Sequence, residues 1–366
     1  MLIDGNPLYD NFFFLRKIKY SYTAFSQTQS ISRKRASNAL EIAKMAANLV
    51  FETPACATNI YARWQTNLNI RTRSMKNYKV IKTELLNFEC KSSLSAMYKL
   101  SPFVWKENDV FKILIRAVNP AINPALKVAR AYYGTSIDGI QFEMSDGPVL
   151  APSTNSYDKD GCEDPTLICV NDNYLVYYTG WNQTKLVGQL LLAKGQDIES
   201  LSLAGIAIPN KQPYINPKEA TVFQQKDGKW ILLFEYANEN RSKIGKATSD
   251  NPEGPWEIQG EFLPAVKNSW DAHHLSTGPV LIDNLNQTIM FYNGSDLNTR
   301  WRIGWVKLDL DGQIISRSKK PLITPPKGKP WETDIAFAAS AVLVNREIWL
   351  YYSVADKTNY RAIISV

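Results

Sequence analysis

At 366 residues, with 45% hydrophobic and 21% charged side chains, the chain carries enough apolar material for a large core. It has no apolar run of about 18 residues, so no transmembrane helix is expected. Of its 42 Lys and Arg and 35 Asp and Glu, residues 1–100 take 15 and 6, leaving 27 and 29 for the rest. The basic excess therefore belongs to the N-terminal segment. The body lacks the basic face of a nucleic-acid-binding domain, so neither nucleic acid nor membrane is an expected partner.

In chain order, the opening MLIDGNPLYDNFFFLRKIKY has a four-residue apolar burst, Phe12 to Leu15, and no small-residue cleavage site after it. That is not the pattern of a secretory leader. Ser32 to Val50 has helix-forming residues with an apolar face through Leu40, Ile42, Met45, Ala46 and Leu49. Residues 1–77 are therefore expected to be an N-terminal extension, partly helical or disordered, with its first 60 or so residues peripheral to the fold. The cysteines, Cys56, Cys90, Cys162 and Cys169, fit neither a zinc pattern nor a disulfide framework. Reduced thiols, a cytoplasmic address, and no metal or cofactor follow as expectations.

From about residue 97 the chain repeats. A short strand opens each unit: SPFVW, DPTLICV, EATVF, GPVLI and SAVLV. A turn follows, then an aromatic-rich strand: FKILIRAVN, YLVYYTGWN, KWILLFEYAN, TIMFYNGSD and EIWLYYSVAD. A third strand completes every unit, and the first four add a short outer strand. β-branched and aromatic residues between Asp, Asn and Gly turns argue for strands. Four-stranded antiparallel sheets recurring five times predict an all-β fold, a five-bladed β-propeller over residues 78–366. The fifth unit stops after its third strand, YRAIISV, which leaves an edge open. Residues 78–89, with apolar Val80, Ile81, Leu85, Leu86 and Phe88, are the candidate closing strand.

In an antiparallel pair, the start of the first strand lies beside the end of the second. The residues sharing that mouth are chemically varied. First-strand starts bring Glu163, Asp164, Lys218, Glu219, Asp271, His273, His274, Glu332 and Asp334. Second-strand ends bring Arg116, Asn119, Trp181, Asn182, Glu235, Asn238, Asn293, Asp296 and Asp356. The opposite mouth receives hairpin residues such as Asn171, Asp172, Asp227, Gly228, Asn284 and Asn345. Carboxylates, amides and aromatics in a concave mouth suit sugar hydroxyls and C–H faces, and a pair of carboxylates flanking a glycosidic bond cleaves it. Like-charge repulsion between adjacent carboxylates such as Glu163 and Asp164 should hold a proton on one member of the group.

GCEDPTL, NPKEATVF, STGPVLI with MFYNGSD, YYSVADK and the corner TSIDGIQF resemble glycoside hydrolase family 130 over about residues 97–366. That family contains β-mannoside phosphorylases and β-mannosidases on a five-bladed propeller. The resemblance implies that Asp164 is the general acid, that Arg116 and Asp356 hold the sugar, and that Lys218 helps bind phosphate in the phosphorylases. This sequence departs from the pattern at three places. Thr166 stands for the arginine of E-D-P-R, Tyr292-Asn293-Gly294 stands for Y-H-G, and Glu235 stands where many phosphorylases carry an arginine. A site with fewer cations and an added carboxylate binds a dianion poorly. Hydrolysis with inversion of a β-mannoside-type oligosaccharide is therefore the favoured expectation, with the base among Glu219, Glu235, Glu332 and Asp334. The alternatives are phosphorolysis with inorganic phosphate as second substrate, and a non-catalytic glycan-binding propeller.

Overall fold

The computed structural model of the protein describes residues 78–90, 92–121, 126–154, 157–326 and 334–365. The expected N-terminal extension, residues 1–77, lies outside them, as does Glu332. The described chain enters through β1 (Lys79–Leu85) and β2 (Asn87–Glu89), followed by one 3-10 turn at Ser92–Ala96. The first blade is β3 (Tyr98–Glu107), β4 (Val110–Val118), β5 (Ala129–Ser136) and β6 (Gln141–Leu150). The second is β7 (Gly161–Val170), β8 (Asn173–Asn182), β9 (Val187–Gly195) and β10 (Ser202–Ile208). The third is β11 (Ile215–Gln224), β12 (Trp230–Asn238), β13 (Arg241–Ser249) and β14 (Glu257–Leu263). In the fourth, β15 (Leu275–Ser276) and β16 (Val280–Ile282) both pair with β17 (Thr288–Ser295), which continues to β18 (Trp301–Leu308) and β19 (Ile314–Arg317). The fifth is β20 (Ala336–Val344), β21 (Glu347–Val354) and β22 (Thr358–Ser365), with β1 outside β22. The described residues form an all-β five-bladed propeller.

Burial explains the strand compositions. β12, WILLFEYAN, is buried through six consecutive residues because both its faces meet neighbouring blades, and its sequence is a near-continuous apolar run. The outer β14, EIQGEFL, alternates between exposed and covered positions as a one-sided strand must. The first two hairpins and the last turn on two positive-φ residues, Asn108-Asp109, Asn171-Asp172 and Asn345-Arg346, as tight type I′ connections need. The inner strand of the fourth blade, which the repeat predicts as one element, is interrupted. At Gly278 the backbone passes so close to the Phe291 carbonyl that a Cβ would collide with it. The apolar core is divided into five large wedges, one at each blade seam, and a small sixth cluster of Leu100, Val118 and Ala129 in the first blade. Ile113, Phe111 and Tyr351 fill the wedge between the fifth and first blades, and Ile231, Leu233, Met290 and Tyr292 that between the third and fourth.

The segment 79–89 straddles the ring closure. β1 runs antiparallel to β22 as the outer strand of the fifth blade, and β2 then runs parallel to β6 as a fifth strand of the first blade. Leu86 N–H donates to Asn359 O at 2.9 Å and Asn87 N–H to Ile140 O at 3.0 Å, so the crossing itself is hydrogen-bonded. Glu84 on β1 faces Arg361 on β22, with Arg361 Nη2 to Glu84 Oε2 at 2.7 Å. The Arg361 guanidinium lies over the Trp349 ring at 3.8 Å and also donates to Asp138 O at 2.7 Å. Burial pushes Glu84 up, but hydrogen bonds from Lys82 and Arg361 outweigh it and leave the carboxyl below its ordinary value of 4.5. A carboxylate with a depressed native pKa contributes stability above its unfolded pKa and loses it as pH falls through the native one. Glu84→Gln is expected to cost about 1–3 kcal/mol at neutral pH. The difference from wild type should narrow below pH 4.5. Urea unfolding across pH measures this, and a pH-independent gap would place the stabilisation elsewhere.

Candidate active site

Five inner strands converge on the propeller axis, and regular ladders do not continue to it. In the first three blades the pairing skips two residues at the same place: Ser101-Pro102, Asp164-Pro165 and Glu219-Ala220. The first residue of each pair is left-handed, with φ of 52° at Ser101, 49° at Asp164 and 51° at Glu219. Such a conformation is costly for a non-glycine residue, and bulges of this kind re-aim a side chain out of the sheet faces. All three side chains border a cavity of about 280 Å³ on one side and a narrow axial space of about 10 Å³ on the other.

Second strands and a turn supply the remaining charges. Arg116 comes from β4, Glu235 from β12 and Asp356 from the β21–β22 turn, while Lys218 precedes Glu219 on β11. Arg116 Nη1 lies 3.1 Å from Asp164 Oδ1 and 3.2 Å from Oδ2, and its Nη2 lies 2.8 Å from Glu163 Oε1. Ser101 Oγ donates to Asp164 Oδ1 at 2.6 Å. Lys218 Nζ is 3.3 Å from Glu235 Oε1. Aromatic rings complete the lining: Trp301 and Phe337, with ring centroids 5.4 Å apart, and Tyr98. His274 stacks behind Trp301 at 5.7 Å and 15°.

The carboxyls split in their electrostatics. Burial pushes Asp164 up, but Arg116, the Ser101 hydroxyl, a hydrogen bond with Glu219 and the Lys218 charge together hold it below its ordinary value. Glu219 is pushed well above its own by burial and by the Asp164 charge, which Lys218 does not offset. Burial also raises Asp356, against the pull of Arg116, and Glu163, against the same guanidinium. Lys218 is held protonated chiefly by Glu235. Burial and the Asp164 charge thus favour the protonated form of Glu219, while the donors around Asp164 favour its anion.

Of the residues singled out from sequence, Arg116, Asp164, Lys218, Glu219, Glu235 and Asp356 line this one cavity. Glu163 stands behind Arg116, and His274 behind Trp301. His274 Nδ1 accepts the Ser242 N–H at 2.9 Å, and burial followed by the neighbouring His273 lowers its pKa, so it is a neutral ring with its proton on Nε2. The others do not line the cavity. Asn119 holds the loop back to Val128 at 2.8 Å, and Trp181 donates to Gln183 at 2.9 Å. Asn182 caps its own turn at Lys185, and His273 pairs through its backbone N–H with Ser295 O. Asp296 binds Arg300 and Arg302, and Asp334 lies 3.9 Å from Arg300. Asn293 is fully buried, donating to Thr277 O and Ala338 O and accepting from Ala338 N–H at 2.7 Å. Ser101, Lys127, Trp301, Phe337 and Tyr98 border the cavity without having been singled out. A signal for Ser101 exists: Ser101-Pro102 holds the same place in its repeat as Asp164-Pro165.

A family model described as beta-1,4-mannooligosaccharide phosphorylase matches residues 120–365. The chain belongs to glycoside hydrolase family 130. It is 26% identical over 273 residues to a 1,2-beta-oligomannan phosphorylase of Thermoanaerobacter sp. (strain X514), spanning 71% of this chain and 87% of that one. Among solved structures it resembles the beta-1,2-mannobiose phosphorylase of Listeria innocua in complex with beta-1,2-mannobiose. The TM-score is 0.63 at 18% identity, over 78% of this chain and 92% of that one. A structure from work on family members that are hydrolases of β-1,2 mannosidic linkages in Candida mannan gives 0.63 at 18% identity, over 78% and 96%.

Arg116 is the cation on which two carboxylates converge. Arg116→Met is expected to cost about 3–5 kcal/mol of unfolding free energy, because Glu163 and Asp164 lose their counter-charge. Asp164→Asn in the same chain should recover part of that loss. Chemical denaturation of both variants is the measurement, and equal stability of Arg116→Met and wild type would contradict the pairing.

Proposed function

We propose that this chain cleaves β-mannosidic bonds in oligosaccharides at the axial cavity, by general-acid catalysis with inversion. The observation that carries the reading is the carboxyl pair Asp164 and Glu219, set on equivalent left-handed bulges beside an open cavity that Trp301 and Phe337 also line. Trp301 offers a flat face to the C–H side of a sugar ring, and Arg116 and Asp356 offer a donor and an acceptor to its hydroxyls. Asp164 gives a proton to the leaving oxygen, directly or through a substrate hydroxyl, as the glycosidic bond breaks.

Water is the acceptor that the cavity's own charges favour. Glu235, only 2% exposed, borders the cavity and is positioned by Lys218 to take a proton from an attacking water. The cations are already engaged: Arg116 with Glu163 and Asp164, Lys218 with Glu235. The hydroxyl of Thr166 is committed to Ala220 O at 2.7 Å and adds no cation. Phosphorolysis is the second reading, favoured by the Thermoanaerobacter relative, which is named a phosphorylase, and by three cations at one cavity, Arg116, Lys127 and Lys218.

Incubation with β-1,2- and β-1,4-linked manno-oligosaccharides, with and without inorganic phosphate, separates these outcomes. Free mannose formed at a rate independent of phosphate supports hydrolysis. Mannose 1-phosphate formed only with phosphate supports the second reading, and binding without turnover supports a lectin-like propeller. For the acid, Asp164→Asn is expected to lower kcat by about 10²–10⁴ on an oligosaccharide and by much less on an activated aryl β-mannoside, whose leaving group needs little protonation. Near-wild-type kcat on the oligosaccharide would remove Asp164 from the role.

A further inference from the structure

A carboxylate has no hydrogen to donate, so two carboxyl groups in hydrogen-bonding contact must hold a proton between them. Asp164 and Glu219 are such a pair, contributed by adjacent blades at equivalent left-handed bulges and buried together. Their surroundings are unequal. Asp164 faces the Arg116 guanidinium and the Ser101 hydroxyl, both of which donate and both of which favour an anion. Glu219 faces the Asp164 charge from β7, Glu235 from β12, its own neighbour Lys218, and Arg116 at longer range from β4. Lys218 interacts most strongly with Glu235. The backbone of Glu219 is fixed as well, because Thr277 Oγ1 donates to its carbonyl.

We propose that Glu219, not Asp164, carries the catalytic proton in the resting enzyme, and that Asp164 receives it from Glu219 in the act of protonating the leaving oxygen. This rests on the cleavage reading above. As the glycosidic C–O bond breaks, its electron pair stays on the leaving oxygen. Glu219 passes its proton to Asp164, and Asp164 hands one proton on to that oxygen, so both carboxyls end as anions. Glu219 becomes an anion beside Lys218, which stabilises it. In hydrolysis the attacking water adds its oxygen to the sugar carbon and yields a proton to Glu235. Exchange with solvent in the cavity returns the pair to one shared proton, so the cycle consumes one water and no other co-reactant. The arrangement allows Asp164 to remain an anion that Arg116 can hold in place while the acid is still loaded at neutral pH.

The pH dependence has a definite sign. Raised above the ordinary carboxyl range, the Glu219 proton is lost only as pH rises through that raised value, which sets the alkaline limb of the rate profile. In Glu219→Gln the remaining acid is Asp164, whose partners depress it, so the alkaline limb must move to lower pH. On a manno-oligosaccharide, kcat at neutral pH is expected to fall by about 10² or more, with KM within about threefold and a smaller loss on an activated aryl β-mannoside. An unshifted limb with wild-type kcat in Glu219→Gln, while Asp164→Asn is inactive, overturns the proposal and leaves the cleavage reading standing. If both variants keep wild-type activity, the cleavage reading fails too. A measurement without substitution guards against misfolding. In the infrared spectrum of the whole protein at neutral pH, a protonated-carboxyl band should shift on ¹³C-labelling of glutamate and persist in Glu163→Gln, since burial raises Glu163 as well. A band that shifts only on labelling aspartate, or no such band at all, refutes the assignment.

Discussion

Everything at the axis depends on how five inner strands meet without leaving backbone groups unpaired. A buried carbonyl or N–H without a partner costs free energy comparable to a lost hydrogen bond. The bulges break the ladders where the blades come closest, and side chains from the next blade take over the freed groups. Thr166 donates to Ala220 O, Thr221 to Gly278 O at 2.9 Å, and Ser340 to Pro102 O at 2.8 Å, while Val104 N–H donates to Ser340. Asn293 spans the fourth seam through Ala338, and Ser101 reaches Asp164 across the first. Every seam is thus bridged by a polar side chain near its inner edge. The same bulges that demand these bridges aim Ser101, Asp164 and Glu219 at the axis. Fold closure and chemistry share one backbone device.

Concentrating charge there is tolerable because few of the groups stand alone. Asp164 has Arg116 and Ser101, Glu163 has Arg116, and Glu235 has Lys218. Glu219 has no close cation of its own, and burial together with the Asp164 charge raises its pKa, the usual response of an unpaired buried carboxyl. Pairing and a raised pKa together keep the cavity's net charge low without removing any ionisable group. Trp301 and Phe337, which share the cavity lining, present surface that needs no such partner.

The blade count and the chemically loaded mouth were legible in the sequence, because strand period and turn chemistry are local properties. Family membership was legible from GCEDPTL and its companion motifs, which the match over residues 120–365 bears out. What the strand pattern could not convey was distance from the axis. Asn119, Asn182, Asn293 and Asp296 stand at the mouth end of their strands, yet each is spent on nearby backbone or on a loop arginine. Arg116 and Glu235, also on second strands, have side chains long enough to reach the cavity. Trp301 gave no signal because it opens a third strand, and its place at the wall depends on the loops that precede it. The conformation of Asp164 was half legible: Pro165 disfavours a right-handed helical state before it, and the left-handed bulge that results is set by the neighbouring blades.

The narrow space below Ser101, Asp164 and Glu219 has about 10 Å³, room for one water molecule at most. At this level the space is therefore narrow, and the side chains that narrow it are the same ones that line the larger cavity. A water held there would touch the same carboxyls that face the larger cavity, so the two spaces would share one hydrogen-bond network.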